Sequence, residues 1–370
     1  MTRKSFLVAI LVVLAVGGLV FHQFRGGSGA GSGQPDTVTI ASIAYPYGGT
    51  YRYQGQTAII QQQGWLAAEL AKRGIKLVWF PVPTAIGGPL INESFAGKRI
   101  DFASYGDFPA IIAKSSGIDL RLLVPAGRGQ NCYLVVRNGL DAKSIEDLKG
   151  KRIALHRGRP WELPFSKLAE AHGLTLDNFR IMNINPPASH AALAAGDVDA
   201  AFLLSDAHLL DQKGLGRIIW STKQAPADWK MRAELFGRGD FVDANHDLTK
   251  LVVEAYVRAA QWSSRPENRE AVIEIASRAE NPRSVIEAEY DEPGLGWRER
   301  FSPLFDDFMV DHYRDVSTYT YRNGLVRKEV DVNRLLEPGF VHEVLGELKL
   351  GDYWQPAIAT GEPADASAQS

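Results

Sequence analysis

Cysteine is almost absent from this chain: Cys132 is the only one in 370 residues. A single cysteine excludes an intrachain disulfide and a thiolate-rich metal site, although it does not decide the compartment. The eight histidines show no metal-ligand spacing, and none forms a recognisable nucleophile signature with the cysteine. Phosphate-loop and dinucleotide glycine patterns are missing too. The sequence therefore predicts no metal, no cofactor and no catalytic residue.

An excess of charge of either sign is also missing. Lysine and arginine number 41 against 43 aspartates and glutamates, for a net charge of −2. Nucleic-acid-binding domains are usually basic, so the chain is not expected to bind nucleic acid. With 45% hydrophobic and 23% charged residues, the chain has the composition of a globular protein of roughly two domains.

The one long hydrophobic run lies at the N-terminus, where residues 6–21 follow Arg3 and Lys4. A basic start followed by an apolar segment is typical of a secretion signal, which places the folded part outside the cytoplasm. We expect residues 1–24 to be either a cleaved signal peptide or a retained inner-membrane anchor. A Gly/Ser-rich linker over residues 25–36 follows, and residues 357–370 are expected to be a disordered tail.

Two stretches about a hundred residues apart share one pattern of helix, glycine, strand and turn acid: residues 92–110 and 191–206. In the first, Gly97 is expected to end a helix in the left-handed conformation. Asp107 is expected to cap the next helix, with Pro109 in its first turn. Two copies of one α/β unit predict two lobes with a cleft between them.

Strands alternate with helices over most of residues 37–221, and the last third of the chain has helical patterns. This alternation predicts an α/β fold with mostly parallel sheets flanked by helices. We assign residues 37–127 and 222–356 to the first lobe and residues 128–221 to the second. Ligands in such sheets bind beyond the carboxyl ends of the strands, where the loops at residues 45–49, 81–88 and 104–108 would converge.

Three segments carry a resemblance to a known family: AGKRIDFASYGDFPA at residues 96–110, DLKGKRIA at 147–154 and ALAAGDVDA at 192–200. In this order and spacing they resemble the solute-binding proteins of nitrate, sulfonate, taurine and bicarbonate ABC transporters. The resemblance implies a two-lobed periplasmic-binding-protein type II fold and a monomer that delivers a solute to a permease in the inner membrane. One departure is the RGRPW sequence at residues 157–161, where the family usually has a Gly-Ser or Gly-Thr step.

That departure supplies the predicted anion site. Arg157 and Arg159 flank Gly158, and Pro160 fits the first position of the helix that follows. Guanidinium groups bind planar or tetrahedral anions through two hydrogen bonds. The anionic head of the ligand is expected to take backbone N–H groups near Gly106 and Gly158 plus an arginine. Alternatively, the arginines are solvated or pair with acidic residues of the same lobe, Glu162 or Asp206.

The other candidate residues each have two interpretations. The aromatic side chains either line the cleft or only pack between the lobes; they are Tyr47, beside Gly48, and Trp161. Tyr105 and Phe108 flank the turn at Gly106 and are included in the site. Asp107 and Asp206 either cap helices or contact the ligand, in which case an amine on the ligand is favoured. Gln130 lies at the crossover, where hinge bonding competes with ligand bonding.

The predicted ligand is a small anionic or zwitterionic organic solute, with an aliphatic sulfonate or a taurine-like compound favoured; nitrate and small carboxylates also fit. Two other functions are compatible with the fold. One is a membrane-tethered sensor that uses the same cleft. The other is an enzyme that forms a thiamine pyrimidine, as a related fold does, although no set of residues supports that chemistry here.

Overall fold

The structure is a computed structural model and describes residues 34–278 and 281–358. The predicted signal or anchor and most of the predicted linker lie outside these residues. Among the helices described, none is both long and apolar enough to cross a bilayer. The tail expected from residue 357 lies outside them except for its first two residues. Ala357 itself is buried, and its N–H donates to Asp306 Oδ2 at 2.9 Å, so the disorder expected at this position is wrong.

The first lobe is built on a mixed sheet of six strands. These are β1 (Thr37–Tyr47), β2 (Thr50–Tyr53), β3 (Lys76–Pro83), β4 (Phe102–Gly106), β5 (Leu120–Val124) and β11 (Ala233–Arg238). Strand β1 pairs in parallel with β3 and β4, whereas β11 runs antiparallel between β4 and β5. The end of β1 forms a hairpin with β2, where a loop was expected.

The second lobe contains a mixed sheet of five strands in the order β10-β6-β9-β7-β8. These are β6 (Tyr133–Arg137), β7 (Arg152–Ala154), β8 (Arg180–Met182), β9 (Ala200–Leu203) and β10 (Gly216–Ser221). Strand β7 pairs in parallel with β8 and β9, and β6 runs antiparallel to β9 and β10. Mostly parallel sheets were predicted, but both sheets contain several antiparallel pairs. Apart from the β1–β2 hairpin, these pairs involve the strands next to the crossovers in sequence, β6, β10 and β11.

Thirteen α-helices occur in the described parts of the chain. They are α1 (Gly55–Gln63), α2 (Trp65–Ala71), α3 (Gly88–Ala96), α4 (Asp107–Ser115), α5 (Glu162–Ala171), α6 (Pro186–Ala195), α7 (Ala207–Gln212), α8 (Gly239–Ala244), α9 (His246–Ser264), α10 (Arg269–Ala276), α11 (Arg283–Tyr290), α12 (Asp307–Arg322) and α13 (Gly339–Glu347). The apolar spacing over residues 56–73 predicts a single helix, but the structure has two, because Gly64 takes a left-handed φ of 67° between them. Helix α12 begins at Asp307, after Asp306 at the N-cap accepts from the Met309 N–H, whereas the sequence pattern predicts a helix over residues 301–313.

The repeated unit is present as α3–β4–α4 and α6–β9–α7, but its two glycines differ. Gly196 has the expected left-handed conformation after α6, with a φ of 78°. Gly97 does not: its φ is −83°, and Lys98 takes the left-handed conformation at 53°. A β-carbon on Gly97 would lie 3.2 Å from the Glu93 carbonyl oxygen, so close packing rather than backbone conformation favours glycine there.

The two lobes are joined by residues 125–132 and 222–232, and these crossovers are bonded to each other. Gln130 and Met231 exchange two backbone hydrogen bonds, at 2.8 and 3.2 Å. One residue further along the first crossover, the Asn131 side chain donates to Glu289 of α11, and the Tyr133 hydroxyl donates to the same carboxylate. Burial raises the pKa of Glu289 above its usual value. The crossovers and α11 therefore form one hydrogen-bonded hinge.

The Gln130 side chain points to solvent, so its backbone, and not its amide group, carries the hinge interaction. Of the two interpretations of Gln130, hinge bonding and ligand bonding, this arrangement agrees with hinge bonding. The predicted lobe boundaries fall within or at the edges of the crossovers and remain predictions.

Gly127 of the first crossover generates a stability prediction. Its φ is +111°, and a β-carbon would lie 2.1 Å from the Arg300 carbonyl oxygen. Gly127→Ala should lower the free energy of unfolding by roughly 3 kcal/mol or more, because backbone strain and a clash with main-chain atoms add.

Gly294→Ala is the matched control. Gly294 also has a positive φ, +90°, but a β-carbon there meets nothing within 4 Å. Its substitution should cost only about 1 kcal/mol of backbone strain. Guanidinium denaturation of the two variants gives the comparison; equal losses would show that the clash has no effect.

Candidate ligand cleft

The carboxyl ends of the parallel strands from both lobes meet between the sheets, as such folds require. At the end of β4, a β-carbon on Gly106 would lie 2.3 Å from Cγ of Pro160 in the turn after β7. The two predicted turns, one from each lobe, are therefore in direct contact. Pro160 does not start a helix as predicted, because α5 begins two residues later at Glu162.

The N-terminus of α4 was predicted to bind an anion, and its first N–H groups are already occupied. The Asp107 N–H donates to the Arg232 carbonyl oxygen at 3.2 Å, and the Phe108 N–H donates to Asp107 Oδ1 at 2.6 Å. Pro109 has no N–H to offer. The predicted use of backbone N–H groups beside Gly106 is therefore wrong.

Asp107 occupies the first helical position, and Gly106 is the cap residue. The Asp107 side chain is fully buried, and its Oδ2 lies 2.7 Å from Nε2 of His312 on α12. Asp107 thus neither caps α4 from the N-cap position nor faces a ligand. The neighbouring aromatics are in the core: Phe108 is fully buried, and Tyr105 packs edge-on against Phe236 with ring centroids 5.2 Å apart. Burial raises the pKa of Tyr105 well above its usual value.

The two arginines of the second-lobe turn have different roles. Arg157 Nε donates to Glu162 Oε1 at 2.7 Å, and the Gly158 N–H donates to the other oxygen of the same carboxylate at 2.5 Å. Glu162 is completely buried. For Arg157 the alternative of an internal ion pair therefore holds, and the Gly158 N–H is not available to a ligand, contrary to the prediction.

Arg159 crosses to the other lobe. Only 8% of the residue is exposed, and its Nη2 donates to the Ile86 carbonyl oxygen of the first lobe at 2.6 Å. Within the described ranges, no carboxylate pairs with it, and its Nε and Nη1 atoms make no hydrogen bond. Burial alone lowers its pKa. A desolvated guanidinium with spare donors and no counter-ion is suited to bind an anion.

Two glycines of the first lobe make room for this guanidinium. A β-carbon on Gly87 would lie 3.0 Å from Arg159 Nη1, and one on Gly88 would lie 3.4 Å from the same atom. Gly87 has φ 57° and ψ −129°, which side chains with a β-carbon rarely adopt. Gly88 then begins α3. The sequence analysis placed the loop of residues 81–88 at the cleft but did not name Gly87 or Gly88 as site residues. The signal that could have identified them is a Gly-Gly pair before a proline at a helix start.

His156, the second residue after β7, lies beside the arginine. Burial first, and then the positive charge of Arg159, lower the pKa of His156 to about 4. Its Nδ1 atom is buried and has no hydrogen-bond partner in the described structure. The ring is 6.2 Å from that of Trp161. His156 is therefore a neutral side chain near neutral pH, so Arg159 is the charged member of this group.

The remaining predicted residues lie around this centre. Trp161 is partly buried against the core of its own lobe, and the choice between lining the cleft and packing between the lobes stays a prediction. Tyr47 and Gly48 form the β1–β2 turn; Tyr47 is 53% exposed, with the Arg52 guanidinium 3.5 Å above its ring. Oδ2 of Asp206, after β9, lies 2.5 Å from Nε2 of His190, and its side chain does not cap α7.

The lobes also touch through two helices that the sequence did not connect. On one side of the cleft, the hydroxyl groups of Ser166 on α5 and Tyr319 on α12 are 2.5 Å apart. Lys167 on α5 contacts Asp315 on α12 at 2.9 Å, and Leu163 packs into a hydrophobic cluster of the first lobe. This side of the cleft is closed by protein.

Comparisons with known proteins agree with this geometry. Residues 88–268 match the family described as NMT1/THI5 like. A crystal structure of a protein from Methylobacillus flagellatus KT, named as the periplasmic sulfonate-binding protein SsuA of a sulfonate ABC transporter, is 45% identical. The superposed region covers 87% of this chain and 97% of that protein, with a TM-score of 0.80.

Two further proteins extend the comparison. A Bacillus subtilis (strain 168) protein, named as an aliphatic sulfonates-binding protein, is 22% identical over 351 residues, which is 94% of this chain and 99% of that protein. The desulfurization enzyme DSZB shares the fold at 15% identity and a TM-score of 0.65, over 85% of this chain and 100% of its own.

The fold and the cleft define a two-lobed solute-binding protein. At the identity and coverage of the Methylobacillus protein, this chain belongs to the family of sulfonate-, taurine- and nitrate-binding proteins of ABC transporters.

The lowered pKa of His156 generates a pH prediction. Its folded value of about 4 lies below the ordinary value of 6.5, so the unfolded chain binds more protons between these two pH values. Stability should be fully present above about pH 6.5 and should decline as the pH falls towards about 4. Denaturant unfolding across this range measures the decline, and His156→Gln should make it smaller.

A histidine NMR titration provides the direct check, with His156→Gln assigning the resonance. A His156 midpoint at or above pH 6.5 would contradict the desolvated position beside Arg159.

The contact between Gly106 and Pro160 generates a second prediction. The φ of Gly106 is −72°, so alanine suits its backbone, but the added methyl group would collide with Pro160 at the present lobe separation. Gly106→Ala should therefore fold normally and hold the lobes apart. Small-angle scattering should show a larger radius of gyration than in the parent.

Gly346→Ala is the control, because a β-carbon in that helix meets nothing within 4 Å. Superimposable scattering curves for all three proteins would mean that the contact at Gly106 does not set the lobe separation.

Proposed function

We propose that this protein is the extracytoplasmic solute-binding component of an ABC importer for a small organic anion, most closely an aliphatic sulfonate. The observation that carries the proposal is the Arg159 guanidinium, which is buried between the lobes and pairs with no carboxylate among the described residues. A sulfonate group has three oxygens that share one full negative charge. It can accept from the unused Nε and Nη1 donors and supply the missing charge.

Lobe contact and ligand binding are coupled in this scheme. Arg159 belongs to the second lobe and already donates to Ile86 of the first, so an anion bound to it is held where both lobes meet. A ligand that contacts both lobes favours the arrangement in which they touch over an open one. The relatives named for sulfonate binding support the same class of solute.

Binding without catalysis is favoured over an enzyme of the same fold. Cys132, the only thiol in the sequence, is completely buried, and burial raises its pKa well above the ordinary value. Reactive cysteines need a thiolate and access to substrate. His156 lacks a hydrogen-bond partner at Nδ1 among the described residues, so no group orients it as a general base.

The wider setting follows from the family and the N-terminal sequence. We propose that the protein works as a monomer in the periplasm and delivers its solute to an inner-membrane permease. The apolar segment of residues 6–21 would act as a secretion signal or a tether.

Calorimetry with a series of linear alkanesulfonates tests the proposal. Arg159→Ala should weaken sulfonate binding on the order of 100-fold, because it removes charge-assisted hydrogen bonds from a buried site. Arg217→Ala is the control: Arg217 lies in the same lobe and also donates to a main-chain carbonyl, that of Ala142 at 2.7 Å, but it is exposed on β10.

Equal affinity in the parent and in Arg159→Ala would contradict the assigned site. Mass spectrometry of the sulfonate recovered after incubation separates a receptor from an enzyme, since a receptor returns it unchanged.

A further inference from the structure

We infer that the contact between α5 and α12 sets how slowly a bound solute leaves the cleft, although its side chains lie outside the site proposed for the anion. The inference rests on the proposed function and assigns Ser166, Lys167 and Tyr319 as positioning residues. It follows from the juxtaposition of two helices from different lobes, the first of which directly follows Arg159 in the chain.

Helix α5 has two packed faces, and each contacts a different lobe. Phe165 and Leu168 pack in the core of the second lobe, to which the helix belongs. Leu163 packs instead in a hydrophobic cluster of the first lobe. Ser166 and Lys167 follow Leu163 at helical spacing and therefore lie on the same side of the helix. One stripe of α5 thus faces the other lobe.

Two residues one turn apart on α12 meet this stripe. The Tyr319 hydroxyl lies 2.5 Å from the Ser166 hydroxyl, and the Tyr319 ring belongs to the first-lobe core. Asp315 lies 2.9 Å from Nζ of Lys167, which also contacts Asp228 of the second crossover at 2.7 Å. The stripe therefore binds the second lobe to the first lobe and to the crossover.

Arg159 is fixed to the same helix. Glu162 is the first residue of α5, and its N–H donates to the Arg159 carbonyl oxygen at 2.9 Å. The Glu162 side chain is completely buried, and its Oε1 lies 3.5 Å from the Tyr319 hydroxyl. A motion of the second lobe that separates α5 from α12 therefore also moves Arg159 away from Ile86, its partner in the first lobe.

The contact between the helices and the anion site act on the same motion. Lobe contact buries the Arg159 charge, which opposes closure until an anion neutralises that charge. The hydroxyl pair and the Lys167 ion pairs form only when the lobes meet, so they favour the closed arrangement. A solute held between the lobes leaves after this contact breaks. The contact therefore lowers the dissociation rate constant of every solute by a common factor.

Tyr319→Phe tests the hydroxyl pair, because it keeps the ring in the core and removes only the hydroxyl group. The dissociation rate constant of propane-1-sulfonate should rise about three- to tenfold, as the loss of one buried hydrogen bond predicts. Stopped-flow tryptophan fluorescence over a range of solute concentrations gives this constant and the association rate constant, which should not fall. Tyr353→Phe is the matched control: the Tyr353 hydroxyl lies 3.0 Å from Ser264 Oγ, within the first lobe.

Lys167→Met tests the ion pairs, because it removes the charge and keeps an aliphatic side chain. Dissociation should become about two- to fivefold faster, since the pairs are only partly buried. Lys250→Met is the matched control. Lys250 also contacts two carboxylates, Glu343 and Glu347, both at 2.9 Å, but all three residues belong to the first lobe. Its dissociation rate constant should equal that of the parent.

A second alkanesulfonate that binds the parent, such as butane-1-sulfonate, shows whether the residues act without touching the solute. Each variant should speed the dissociation of both solutes by the same factor, within about twofold. Different factors for the two solutes would assign the residues to solute contact and overturn the inference.

Two further results would contradict the role of this contact and leave the proposed function intact. One is an unchanged dissociation rate constant in Tyr319→Phe and Lys167→Met. The other is an equal increase in these variants and in their controls. Failure of every alkanesulfonate to bind the parent would instead overturn the proposed function.

Discussion

The constraint on which the cleft depends is a buried positive charge, that of Arg159, which no carboxylate in the described part of the chain neutralises. An ion removed from water costs several kcal/mol unless another charge or a set of hydrogen bonds replaces its hydration. Arg159 receives one carbonyl oxygen in exchange, that of Ile86 across the cleft. The contact between the lobes at this point therefore leaves the positive charge of Arg159 unneutralised, and a bound anion would neutralise it. Anion binding therefore favours the arrangement in which the lobes touch, and lobe contact in turn favours anion binding.

The neighbouring arginine shows how the chain keeps this charge free. Glu162 takes both the Arg157 guanidinium and the Gly158 N–H, so the carboxylate nearest in sequence is fully used. Asp107 lies 2.7 Å from Nε2 of His312, so its partner is an imidazole and not a guanidinium. Because Arg157 and the Gly158 N–H occupy Glu162, that carboxylate does not neutralise Arg159.

The hinge has the opposite character. The crossovers are bonded to each other at Gln130 and Met231, and the partly buried Glu289 accepts from Asn131 and Tyr133. Polar groups that are buried and satisfied resist rearrangement, because breaking one bond leaves another group unpaired. Motion between the lobes is thus expected to bend around a well-bonded hinge, while the cleft contains the groups that remain to be satisfied.

The sequence by itself determined the two-lobed α/β fold and the meeting of the turns at Gly106 and Gly158, since strand–helix alternation and motif order are local patterns that survive folding. It could not decide between Arg157 and Arg159, which flank the same glycine and have the same chemistry. Only the tertiary structure assigned one to Glu162 and brought the other to the Gly87–Gly88 turn. Pairing partners are chosen by three-dimensional proximity, and desolvation, which separates a structural charge from a functional one, exists only after the lobes have packed.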